Sequence, residues 1–160
     1  MTNKASFSAE EWKTLSEAPL AASMFVTMAS PSLFGSMAEV FAATRRLVEG
    51  AQTPTANELL NDLLGEFKQL DTARAAQPDF GSRDIESVKS TLRATLSGAG
   101  ALLKQKATAA EAGEIREWLG GVATATAEAA KEGGFLGFGG VRVSEEETAA
   151  LSEIKSLLGA

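Results

Sequence analysis

The sequence predicts an all-α protein, a single globular bundle of about seven helices spanning residues 1–160. Three observations predict it. Apolar residues recur every three or four positions, the spacing of amphipathic helices, and no stretch sustains strand-type alternation. Alanine is abundant while Val and Ile are sparse. Ser/Thr-x-x-Glu sequences, which can cap a helix reciprocally, stand repeatedly ahead of apolar runs. A chain of 160 residues can bury one core without covalent staples. Residues 1–7, ahead of the first cap, are expected to be flexible.

The elements follow in order. Ser8 and Glu11 form a capping box before Trp12 and Leu15. Pro19 disfavours helical geometry at Ala18, so the first helix is expected to stop there. Pro19 then suits the first turn of a second helix running through Ser30. Pro31 opens a third in the same way, with Leu33, Phe34, Met37, Val40, Phe41, Leu47 and Val48 as its apolar stripe and Gly50 to end it. Thr55 and Glu58 read as another box before Leu59, Leu60, Leu63, Leu64, Phe67 and Leu70. After the Pro78–Gly81 connection, Ile85, Val88, Leu92 and Leu96 mark a fifth helix that Gly98 and Gly100 should loosen. Thr108 and Glu111 start a long sixth, with Ile115, Trp118, Leu119 and Val122. Its Gly120-Gly121 pair disfavours the helix by about 1 kcal/mol per residue relative to Ala, a penalty that close helix packing would explain. Ser144 and Glu147 cap the last helix, which carries Leu151, Ile154, Leu157 and Leu158.

An internal echo is visible. Ser32-Leu33-Phe34-Gly35 and Gly134-Phe135-Leu136-Gly137 each follow an alanine-rich helical pattern and precede an amphipathic one. A diverged internal duplication would produce this arrangement, and so would chance in an alanine-rich chain.

Composition narrows function. The chain has no Cys, no His and no Tyr, so disulfides, thiolate chemistry and the usual general base near neutral pH are excluded. The net charge of −6 and pI near 4.8 oppose nucleic-acid binding, which needs clustered cations. Glu10, Glu11 and Glu17 precede the first apolar stretch, unlike a secretion signal, so a cytoplasmic location is the expectation. Residues 18–38 carry no charge over a length near that of a membrane span. Pro31 and several hydroxyl residues interrupt them, and buried helices meeting at a corner explain them better. Glu58, Asp62 and Glu66 line one helix face, as do Glu111, Glu114 and Glu117. Each row is expected to be solvated rather than to hold a metal.

The segment Gly133-Gly134-Phe135-Leu136-Gly137-Phe138-Gly139-Gly140 is the most unusual in the chain. Its glycine spacing fits no phosphate-binding fingerprint, and Glu145, Glu146 and Glu147 would repel an anion at the following helix start. Phe135, Leu136 and Phe138 instead supply apolar surface in what should be a connection. Either they plug a gap in the domain's own core or, together with Leu33 and Phe34, they are the candidate partner or ligand contact. No catalytic, cofactor-binding or metal-binding residue is assigned, and no cofactor is expected.

The tail just described, with Val143-Ser144-Glu145-x-Glu147, resembles the C-terminus of small uncharacterised bacterial all-α proteins. Trp12-x-x-Leu15-x-x-Ala18-Pro19 resembles their N-terminal helix and corner. Ala129-Ala130-Lys131-Glu132-Gly133 followed by Ser144-Glu145-Glu146-Glu147 is more weakly similar to tellurite-resistance (TerB-like) helical domains. Glu132 stands where those have Asp, and Ser30-Pro31 replaces an acidic pair, so no metal site carries over. The resemblances imply a helical fold and no defined activity. The expected function is therefore non-enzymatic: a bacterial, stress-associated binding or interaction protein, with a protein partner or self-association. The alternative is a small-molecule-binding domain with an apolar pocket between helices.

Overall fold

The structure is a computed structural model that describes residues 1–29, 42, 45, 55–69, 84–132 and 144–159. Among the described residues there are five α-helices, one 3-10 turn and no strand. The 3-10 turn spans Lys4–Ser6. The helices are α1 (Ala9–Ala29), α2 (Glu58–Gln69), α3 (Ile85–Lys106), α4 (Ala109–Glu132) and α5 (Glu145–Leu158). The all-α expectation holds and the count of about seven does not.

One reason lies at Pro19, where the expected break does not occur: α1 runs straight through it. Proline removes the N–H that would bond the Leu15 carbonyl and crowds that turn, which costs about 3 kcal/mol in a helix interior. Tertiary packing overrides this, because Leu15, Ala18, Pro19, Ala21 and Ala22 are all buried. The helix expected over residues 31–50 lies outside the described residues except for Ala42 and Arg45, both helical. Arg45 donates from its guanidinium to the Lys68 carbonyl near the end of α2.

The second half of α1 is the axis of the bundle. Ala21, Ala22, Ser23, Met24, Phe25, Val26, Thr27 and Met28 are buried without exception, so this half has no solvent face. That accounts for the missing charges over residues 18–29, which lie inside a helical protein. Among the described residues no helix is long and apolar enough to cross a membrane.

Cross-helix contacts fix the directions. At one end, here called the base, the Lys106 ammonium reaches the Glu11 carboxylate at 2.6 Å and the Ser6 carbonyl at 3.2 Å. There the Thr2 N–H also donates to Glu111 at 2.8 Å. Farther along, Thr126 Oγ1 and Ser23 Oγ are 3.0 Å apart. α1 and α4 therefore run side by side in the same direction. α2 runs with them, since Asn57 Nδ2 donates to the Glu111 carbonyl at 3.2 Å and Phe67 meets Trp118 edge-on at 5.8 Å. α3 returns in the opposite sense, with Arg93 5.3 Å over the Phe25 ring. α5 runs with α3: Arg93 Nε pairs with Glu153 at 2.6 Å, and Gly100 lies against Leu157 and Leu158.

Gly98 and Gly100 do not loosen α3, which continues to Lys106. A Cβ at Gly100 would stand 2.7 Å from the Leu157 carbonyl oxygen and 2.9 Å from Leu158 backbone atoms. Glycine is needed there so that α5 can approach. The Gly120-Gly121 pair was expected to mark close packing, yet a Cβ at either position would meet no described neighbour within 4 Å.

Helix starts are mostly as the sequence suggests. Ser8–Glu11, Thr108–Glu111 and Ser144–Glu147 each form reciprocal capping boxes. The box expected at Thr55–Glu58 does not form. Asn57 caps α2 instead, its Oδ1 accepting from the Leu60 N–H at 3.2 Å. Thr55 Oγ1 is turned to Glu114, 3.0 Å away.

The two classes of glycine should separate cleanly in urea unfolding. Gly100→Ala forces a side chain against backbone and is expected to lose about 1–3 kcal/mol. Gly121→Ala, exposed in mid-helix, should gain about 0.5–1 kcal/mol. Equal effects at both positions would contradict the close approach of α5.

Candidate functional site

The residues the sequence nominates, Phe135, Leu136, Phe138, Leu33 and Phe34, lie outside the described residues, as does Pro31. What the structure places is the frame from which they issue. Six residues separate Ser23 from Ala29, and six separate Thr126 from Glu132. At 1.5 Å per residue, the described part of each helix extends about 9 Å beyond the shared hydroxyl contact, towards the same end of the bundle. The Leu33-bearing and Phe135-bearing segments therefore start from the same end of the bundle. α3 and α5 begin at that end, and Ile85, 48% exposed, opens α3 there.

The hydroxyl contact that sets this register is buried. Ser23 and Thr126 are 2% and 0% exposed. Thr126 Oγ1 also bonds the Val122 carbonyl at 2.9 Å, and Thr27 Oγ1 bonds that of Ser23 at 2.9 Å. Buried hydroxyls satisfied this way fix one sliding register between two otherwise smooth alanine-rich helices.

The base holds a second polar assembly that sequence reasoning missed. Within residues 1–7, expected to be flexible, Thr2, Asn3, Lys4 and Phe7 contact the bundle, while Met1 is 84% exposed. Asn3 caps the 3-10 turn with Ser6 as its reciprocal partner. Thr2 and Phe7, 8% and 9% exposed, are buried. The Glu58, Asp62 and Glu66 row, expected to be a solvated face, receives this segment. Asn3 Nδ2 donates to Glu58 at 3.4 Å, the Lys4 N–H to Asp62 at 2.8 Å, and the Lys4 ammonium to Glu66 at 2.6 Å. Trp12 Nε1 donates to Glu66 as well, at 3.2 Å. The Lys4 ammonium and then the indole N–H hold the Glu66 carboxyl below its usual range.

Glu111 departs furthest from expectation. It belongs to the second supposedly solvated row, yet it is 9% exposed. Its carboxylate accepts from the Thr2 N–H at 2.8 Å, the Thr2 hydroxyl at 3.0 Å and the Thr108 N–H at 2.8 Å. The Thr2 N–H and then the Thr108 backbone pull its pKa from 4.5 to about 2. Donors satisfying a carboxylate favour its charged form in just this way. Glu11 at the start of α1 is lowered too, first by the Lys106 ammonium and then by the Ser8 N–H. The only sequence signal was the box itself, Thr108-x-x-Glu111. Nothing local announces that Thr2, more than a hundred residues away, completes it.

These polar groups therefore bind helix ends and the N-terminal segment to one another. Comparison with family models, with curated proteins and with solved structures found no match for the chain.

Glu111→Gln keeps the shape and removes the charge, leaving the Thr2 and Thr108 N–H groups facing a weaker acceptor or an amide. At pH 7 the variant should lose about 1–3 kcal/mol of unfolding free energy. Lys4→Ala breaks an exposed pair and should lose less than about 1 kcal/mol. The pH sign follows from the depressed folded pKa. Glu111 stabilises the fold fully above about pH 4.5, and that contribution drains away as pH falls towards about 2. Acid titration of stability in Glu111→Gln should therefore be flatter than wild type across that window.

Proposed function

We propose that the chain is a non-enzymatic helical binding module whose contact surface is the bundle end towards which α1 and α4 both run. Phe135, Leu136 and Phe138, with Leu33 and Phe34, supply the apolar anchors. The observation that carries this reading is the parallel pairing of α1 and α4, which leads the chain towards both apolar segments from one end of the bundle. Two short apolar segments far apart in sequence thereby become neighbours in origin. Ile85, the other exposed large apolar side chain besides Met1 among the described residues, lies at the same end. The occupant is a protein surface, either another chain or a second copy of this one. The likeness to tellurite-resistance domains would put such a module in a bacterial stress response.

The non-enzymatic part rests on the composition of the whole chain and on how the described carboxylates are used. With no His, Cys or Tyr, proton transfer near neutral pH would fall to carboxylates or Lys. Glu111 and Glu11, the two carboxylates that close the boxes of α4 and α1, are engaged by backbone N–H groups or Lys106.

A diverged duplication belongs to the same reading. Ser8–Glu11 and Thr108–Glu111 start helices that run parallel. Each box is also completed by the segment preceding the other helix: Lys106 reaches Glu11, and Thr2 reaches Glu111. Repeated helical units related by a rotation would produce this exchange.

Two double variants test the surface, Phe135→Ser with Phe138→Ser and Leu33→Ser with Phe34→Ser. Each is followed by thermal unfolding and by native mass spectrometry of protein captured from its own cell lysate. The proposal expects either pair to abolish association while the melting temperature stays within about 3 °C of wild type, a shift below about 1 kcal/mol. A melting temperature lowered by about 10 °C or more in both, several kcal/mol on the same scale, would identify these side chains as core and remove the surface.

A further inference from the structure

No further inference is drawn: the strongest candidate, the small apolar cluster of Phe67, Trp118, Leu20 and Val122 between α1, α2 and α4, whose buried indole N–H has no acceptor among the described residues, carries nothing because the structure does not show what covers it.

Discussion

The structure depends on one helix having no outside. From Ala21 to Met28, every side chain of α1 is buried, so other helices must surround it on all sides. A helix buried all round needs small residues for close neighbours and satisfied polar groups wherever hydroxyls occur. Ala21, Ala22 and Ser23 meet the first need, and the Ser23–Thr126 contact meets the second. The absence of charge across this stretch is thus a packing requirement. Any ionised side chain there would be stranded without water, at a penalty of several kcal/mol.

Around that axis the helices are fixed by two kinds of contact that do different work. Apolar side chains such as Leu59, Leu63, Leu96, Leu103, Ile115, Leu119 and Ile154 are almost fully buried. Each contributes about 1.5–3 kcal/mol by leaving water. That attraction is non-directional, and in an alanine-rich bundle it leaves helices free to slide. Registration comes from directional contacts. Thr126 meets Ser23, Arg116 Nε donates to the Leu158 carbonyl at 2.8 Å, and Gly100 admits the α5 backbone. The same registration holds α1 and α4 side by side in one direction, which is the geometric basis of the proposed contact surface.

The base shows how one residue type serves two ends. Capping carboxylates satisfy N–H groups that a helix start leaves without partners. Glu11 and Glu111 do this locally and then accept further donors from a distant segment. The cap becomes a tertiary clamp, and the segment before α1 is ordered by it.

The sequence by itself determined the helical class, three of the capping boxes and the residue chemistry that is missing. These follow from local periodicity and composition, which a window of a few residues contains. It was misleading where distant packing outweighs local preference. Pro19 sits inside α1 because both of its flanks are buried. Gly100 lies inside α3 because α5 needs its missing Cβ. Asn57, rather than Thr55, caps α2 while Thr55 bonds Glu114. Glu58, Glu114 and Glu117 are exposed as their rows suggest, but Asp62, Glu66 and Glu111 are partly or wholly covered, because helical spacing reports which residues share a face and says nothing of which segment covers it. Only the tertiary structure decided that Thr2 closes on Glu111 and that α1 and α4 run parallel. Both depend on contacts across about a hundred residues, where no local rule applies.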